Sequence, residues 1–127
     1  YFINKFNPHH LKNLNKKIII IYRNYNEKLN LNEIKKIANF CKISNRKFYL
    51  ANNIKHAIKL DLDGVYLPSF NKEFSHNCYK LKTKFKIIGS AHNLKEYNIK
   101  ILQKVSEIFI SPVFKKKEIE KLGYMEF

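Results

Sequence analysis

The regular alternation of short apolar runs with amphipathic segments constrains the fold of this chain more than any other feature. Six runs have the composition of strands, and a segment with helical features follows each of the first five. The predicted strands cover residues 1–6, 18–22, 47–51, 65–67, 85–88 and 108–110. The run at 18–22 is β-branched without polar alternation, as in a strand buried on both faces. Repeated strand–helix units predict an α/β protein with a parallel sheet and right-handed crossovers.

Asparagine residues mark the beginnings of three predicted helices. Asn30 and Asn93 are each followed by a glutamate three residues later, which is a capping pattern. Asn53 is placed to cap a helix that runs to Leu60. Pro8 suits the first turn of the first helix, because its missing N–H has no partner there in any case.

The last two predicted helices differ in strength. The segment at 72–81 has a sparse apolar pattern and predicts a weaker helix. The segment that begins at Asn93 has a clearer pattern. Its predicted sheet-facing residues are Leu94, Tyr97 and Ile101.

A parallel sheet of this kind closes in one of two ways. A doubly wound open sheet normally has a glycine-rich phosphate-binding turn, and none of the three glycines falls in such a motif. A TIM (β/α)8 barrel instead distributes its site over many strand ends. The sequence therefore predicts a TIM-type barrel, truncated or partial, in which residues 1–127 form a single domain without strands 7 and 8. Further residues, or a second subunit in a homo-oligomer, would complete it.

Composition limits the classes of partner. The net charge of +15 invites a nucleic-acid interpretation, but the lysines are spread along the whole chain without a recognised nucleic-acid motif. Nucleic acid is therefore a distant alternative. No apolar run approaches the ~20 residues of a membrane span. Cys41 and Cys78 lack CxxC spacing, so reduced thiols in a cytoplasmic protein are expected.

Polar residues follow most of the predicted strands. If the strands are parallel, these side chains meet at one face. They are Arg23, Asn52, Ser69, Ser90, His92, Ser111, Lys115, Lys116 and Lys117. A face of guanidinium, amide, hydroxyl and ammonium groups suits a phosphate or pyrophosphate. Structural alternatives stay open for some of these residues. They are a helix cap for Asn52, a cap or packing role for His92, and a solvated loop for the lysines at 115–117. The other histidines lack metal-ligand spacing and are expected at the surface: His9, His10, His56 and His76.

Several of these strand ends match one family in order along the chain. The matching segments are Arg23 after an isoleucine-rich strand, Asp63-Gly-Val-Tyr-Leu-Pro68, Ser90-Ala-His92, Ile110-Ser-Pro-Val-Phe114 and Leu122-Gly123. On these residues the chain resembles the thiamine phosphate synthase/TenI family, and most closely its divergent alphaproteobacterial-type members. The resemblance implies a TIM barrel and a pyrophosphate-releasing transferase of thiamine biosynthesis. Its substrates are hydroxymethylpyrimidine pyrophosphate and a thiazole phosphate, and its product is thiamine phosphate.

The resemblance also implies roles for individual residues. Those that match the substrate and pyrophosphate site are Arg23, Asn52, Ser90, His92 and Ser111. Those in the loop near the thiazole phosphate are Lys115, Lys116 and Lys117. No catalytic acid or base is identified, because the reaction depends on departure of pyrophosphate and on positioning of the thiazole nitrogen.

Magnesium enters through the resemblance alone. The family holds Mg²⁺ with two aspartates, and Asn52 and Asn71 stand at those positions. Amide oxygens bind this hard cation more weakly than carboxylates do. Two functions therefore stay open: a thiamine phosphate synthase, and a non-catalytic TenI-like protein that binds thiazole phosphate or thiamine phosphate. A basic nucleic-acid-binding module is the distant third.

Overall fold

The described part of the chain is an α/β structure with a single parallel sheet. The structure is a computed structural model, and it describes residues 1–25 and 30–110. These residues form six strands: β1 (Phe2–Ile3), β2 (Ile20–Tyr22), β3 (Phe48–Ala51), β4 (Gly64–Leu67), β5 (Lys86–Ala91) and β6 (Glu107–Ile110). Every neighbouring pair is parallel.

The strand order in the sheet is the order in the sequence, β1-β2-β3-β4-β5-β6. Each crossover therefore moves one strand along in the same direction, and the sheet curls into half of a barrel. A doubly wound sheet would reverse direction at a switch point. The predicted TIM-like α/β class is confirmed for these residues, although β1 and β2 are shorter than predicted.

Four α-helices are found among the described residues: α1 (Pro8–Lys12), α2 (Leu31–Ile43), α3 (Ile54–Lys59) and α4 (Leu94–Leu102). Each one begins after an asparagine whose side chain accepts a backbone N–H of the first turn. The caps are Asn7, Asn30, Asn53 and Asn93. The capping predictions are thus confirmed, since each side-chain oxygen satisfies a donor that the helix itself leaves unpaired.

The prediction of a helix at 72–81 is wrong. That crossover contains only a 3₁₀ turn, Ser75–Cys78, and no side chain caps it. Phe74 and Cys78, two of the apolar residues of this segment, are exposed. His76 is buried instead, with 5% of its surface exposed, so its predicted surface position is also wrong. A stripe of isolated apolar residues buries too little area to stabilise a helix against the sheet.

The two faces of the sheet bury different sets of side chains. Under the helices, Tyr22, Phe48, Leu50, Val65 and Leu67 join the apolar residues of α2 and α3. The opposite face has its own buried set, which we call the inner cluster. Its members are Ile21, Tyr49, Ala51, Tyr66 and Ile88. Alternate residues of each strand therefore point to opposite faces, and both faces are covered, as the apolar run at 18–22 predicted.

The sheet-facing side of α4 differs in part from the prediction. Tyr97 is buried as expected, but Ile101 is 48% exposed, and Lys100 is fully buried in its place. Gly89 on β5 makes the space for this lysine. A Cβ atom added there would lie 2.9 Å from Lys100 Cδ and 2.9 Å from the Leu67 carbonyl oxygen. The missing side chain lets the long aliphatic stem of the lysine cross the strand.

Two further findings concern membrane-spanning helices and the state of the cysteines. In the described ranges, 1–25 and 30–110, no helix is long and apolar enough to cross a bilayer. Cys41, on the buried side of α2, is a free thiol, and Cys78 is an exposed free thiol.

Candidate functional site

The carboxyl ends of the strands bring most of the predicted site residues to one edge of the sheet. Arg23 directly follows β2, Asn52 directly follows β3, and Asn71 lies in the loop after β4. Ser90 is near the end of β5, and His92 follows that strand. Because all these strands run in the same direction, their ends open on a common face.

Arg23 is exposed, and its guanidinium lies over an aromatic ring. The Cζ atom is 4.0 Å from the centroid of the Phe2 ring on the neighbouring strand β1. At this distance the positive charge makes a cation–π contact with the ring. The contact explains how a charged residue is accommodated at the end of a buried strand, and because the side chain is exposed its donors can reach an anion.

Phe2 also connects Arg23 to Tyr66 of the inner cluster and, through Tyr66, to Ser90. The rings of Phe2 and Tyr66 meet edge to face at 5.1 Å. Tyr66 is buried, and its hydroxyl donates a hydrogen bond of 2.7 Å to Ser90 Oγ. Because Ser90 Oγ accepts this bond, its own O–H hydrogen can be donated to a ligand oxygen. Tyr66 thus belongs to the candidate site, although it was not among the predicted site residues and entered only through the segment Asp63–Pro68 that carries the resemblance.

Asn52 and Asn71 form a directly hydrogen-bonded amide pair. Asn71 Nδ2 donates to Asn52 Oδ1 at 2.7 Å. The orientation of Asn71 is fixed because its Oδ1 accepts the backbone N–H of Glu73 at 2.9 Å, and an N–H can only donate to oxygen. Asn52 itself has a left-handed backbone, with φ of 63°, which asparagine tolerates better than most residues. Within the described residues nothing accepts from Asn52 Nδ2, and this side chain is exposed.

The amide pair does not fit a magnesium site. Asn71 Oδ1 already accepts from Glu73 N and from Gln103 Nε2, and Asn52 Oδ1 accepts from Asn71. Over residues 1–25 and 30–110, no group of three or more histidine, cysteine, aspartate or glutamate side chains is arranged to hold a metal. Mg²⁺ requires several oxygen ligands with free lone pairs. Magnesium binding by Asn52 and Asn71 therefore stays a prediction that their hydrogen bonds oppose.

His92 is held by the first turn of the helix that follows it, α4. Its backbone N–H donates to Glu96 Oε1 at 2.7 Å, and its Nδ1 lies 3.2 Å from the same oxygen. Glu96 is in the first turn of α4, so these contacts stabilise the beginning of that helix. Ser69 is buried after β4. Four predicted residues lie outside the described residues: Ser111, Lys115, Lys116 and Lys117.

An aromatic pair that sequence reasoning missed lies beside these polar groups. Tyr25 and Phe70 meet edge to face at 5.2 Å, and they are 42% and 56% exposed. Burial raises the pKa of Tyr25 to about 12, and the nearby Tyr66 adds to this effect. Tyr25 is therefore a neutral phenol near pH 7, suited to packing on a planar ligand and not to acting as a base. The available sequence signal was an aromatic residue shortly after each of two predicted strands.

A polar pocket of about 340 Å³ adjoins the amide pair. It lies between the beginning of α3 and the loop that follows β4. Its lining residues are Asn52, Asn53, Ile54, Lys55, Leu67, Asn71, Glu73, Ser75, His76 and Tyr79. The amide pair thus has solvent-accessible space beside it.

The fold and these contacts define a parallel α/β half-barrel with polar groups at the carboxyl ends of its strands. Among solved structures, the fold is similar to that of thiamine phosphate pyrophosphorylase from Pyrococcus furiosus. The two are 17% identical in sequence and have a TM-score of 0.55. The match covers 79% of this chain and 50% of the other, so the chain spans about half the length of the structure it matches.

That likeness supports the fold implied by the sequence resemblance. At 17% identity it establishes the fold and does not establish the activity. No protein-family model matches the chain, and no curated protein matches it in sequence.

Proposed function

We propose that this chain is a thiamine phosphate synthase-like protein that binds phosphorylated pyrimidine and thiazole compounds at the carboxyl ends of its strands. The observation that supports this most directly is the placement of Arg23, Ser90 and Asn52 on one face of a fold similar to thiamine phosphate pyrophosphorylase. Their guanidinium, hydroxyl and amide groups are all hydrogen-bond donors, which an anionic ligand requires.

The proposed reaction displaces pyrophosphate from the pyrimidine carbon by the thiazole nitrogen. The C–O bond to pyrophosphate breaks, the new C–N bond forms, and pyrophosphate leaves with the electron pair. Negative charge then grows on the leaving group, and fixed donors stabilise it. Arg23 and Ser90 are the described residues that would supply such donors. By resemblance, Ser111 is proposed for the substrate and pyrophosphate site, and the lysines at 115–117 are proposed for the thiazole phosphate.

The test is an assay with hydroxymethylpyrimidine pyrophosphate, thiazole phosphate and Mg²⁺, in which pyrophosphate and thiamine phosphate are both measured. We expect both products at equal rates. Release of pyrophosphate alone would indicate hydrolysis, and absence of both products would contradict the enzymatic proposal. An Arg23→Ala variant is the control for activity from a contaminant.

The second candidate is a non-catalytic protein that binds thiazole phosphate or thiamine phosphate. The hydrogen bonds of the amide pair favour it, because Asn71 Oδ1, which a magnesium site would need, already accepts from Glu73 N and from Gln103 Nε2. Such a protein would bind thiamine phosphate with the same affinity in Mg²⁺ and in EDTA, without turnover. Calorimetric titration under both conditions distinguishes the candidates, since metal-dependent binding would favour the enzyme.

A further inference from the structure

The loop after β4 is held by the carboxyl end of α4. From α4, Lys100 Nζ donates to the Asn71 carbonyl oxygen at 2.9 Å. Gln103 Nε2 lies 3.1 Å from that same carbonyl and 2.9 Å from the Glu73 carbonyl. From the loop, His76 Nε2 lies 2.8 Å from the Gln103 carbonyl oxygen, and its N–H is the donor. The loop that these contacts hold includes the segment that was predicted to form a crossover helix.

Lys100 and Gln103 are both fully buried, with 0% of each residue exposed. Burial of an ammonium group or an amide is costly unless its donors find acceptors. An apolar side chain would pack the same space without that cost. Gln103 Oε1 is buried and has no hydrogen-bond partner among the described residues, so only the donors, all directed at oxygens of residues 71–73, account for polar side chains at these two positions.

Gln103 adds a second contact to the oxygen that sets which group Asn52 offers to a ligand. Its Nε2 lies 3.1 Å from Asn71 Oδ1, the same oxygen that accepts from Glu73 N. The contacted atoms are all oxygens, so only the NH₂ end of Gln103 can face them. With its oxygen held in this way, Asn71 must turn Nδ2 toward Asn52, and Asn52 must accept with Oδ1.

We propose that Gln103, together with Lys100, is a positioning residue for the strand-end site: it orients Asn71 so that Asn52 presents its amide N–H to an anionic ligand. The proposal rests on the proposed function for its ligand, a phosphorylated compound. Neither residue touches the ligand, and both act through Asn71.

The test compares Gln103→Met with Asn77→Ala. Methionine has nearly the volume of glutamine and no donor. Asn77 is a matched control because its Nδ2 donates across the same interface, to the Leu102 carbonyl at 3.2 Å, but does not touch Asn71. We expect thiamine phosphate to bind Gln103→Met roughly tenfold more weakly or worse, and Asn77→Ala within about twofold of the parent protein. Hydrogen exchange of the Glu73 amide should become faster in Gln103→Met alone.

A folded Gln103→Met protein with unchanged affinity and unchanged Glu73 exchange would overturn the proposal and leave Gln103 with a packing role. If that variant does not fold, Lys100→Met gives the second measurement, and unchanged exchange and affinity there would likewise overturn it. If the parent protein binds no thiamine phosphate, the proposed function fails, and the exchange result still decides whether Gln103 holds Asn71.

Discussion

Arg23 is the residue on which anion binding depends most directly. Its side chain is exposed and lies over the Phe2 ring, so its guanidinium is held at the strand end where it can donate to a phosphate. We expect Arg23→Ala to weaken thiamine phosphate binding by roughly 1.5–3 kcal/mol, the range for a hydrogen bond to a charged group. Calorimetric titration measures this change.

Lys36→Ala is the matched control, since Lys36 is an exposed cation on α2. It should leave the affinity unchanged unless binding responds to net charge alone. Loss of the contact with Phe2 predicts a fall in stability of ~0.5–1 kcal/mol for Arg23→Ala. Reduced stability with unchanged affinity would make Arg23 a structural residue.

At the scale of elements, the asparagine caps allow a clean test of how local sequence determines the fold. Asn30 Oδ1 accepts the Glu33 backbone N–H at 3.1 Å at the beginning of α2. Asn30→Ala should lower the free energy of unfolding by roughly 0.5–2 kcal/mol, because that donor loses its partner. Urea denaturation measures the change.

Asn39 provides the comparison, because it is exposed in the interior of the same helix. Asn39→Ala should leave stability equal or slightly higher, since alanine has the greater helix propensity. Equal losses in the two variants would mean that the cap contributes nothing specific.

Local sequence patterns located the helices but failed in the loop after β4. Caps and apolar periodicity are local, and they located α2, α3 and α4 correctly. The loop after β4 was predicted as a helix because its apolar residues happen to be spaced as in one. Its actual conformation depends on Gln103, about 30 residues away in the sequence, which a local pattern does not contain.

The stability of the whole molecule should depend on pH through the buried Lys100. Burial lowers the pKa of Lys100 to about 8, and the nearby Glu96 offsets part of that effect. In the unfolded chain the pKa returns to ~10.4. Between about pH 8 and pH 10 the unfolded state therefore binds more protons, so the free energy of unfolding rises with pH in that window.

We expect the free energy of unfolding of the parent protein, relative to Lys100→Met, to increase by roughly 2–3 kcal/mol from pH 7.5 to pH 10. Urea denaturation across that range measures it. Lys95→Met is the reference variant, since Lys95 is an exposed lysine of the same helix. A difference that stays flat with pH would show that Lys100 titrates normally in the folded state.

The sequence by itself determined the class of fold. Apolar runs separated by capped helices permit little other than a parallel sheet, because backbone hydrogen bonding and burial act through local spacing. It also placed Arg23, Asn52, Ser90 and His92 at strand ends, as the structure does.

Tertiary structure alone decided what those ends can do. The Phe2–Tyr66–Ser90 contacts, the Asn52–Asn71 pair and the buried Lys100 and Gln103 join residues distant in the chain. The strand that begins at Gly64 thus carried part of the resemblance. The loop beyond that strand is held by hydrogen bonds from Lys100 and Gln103 at the end of α4.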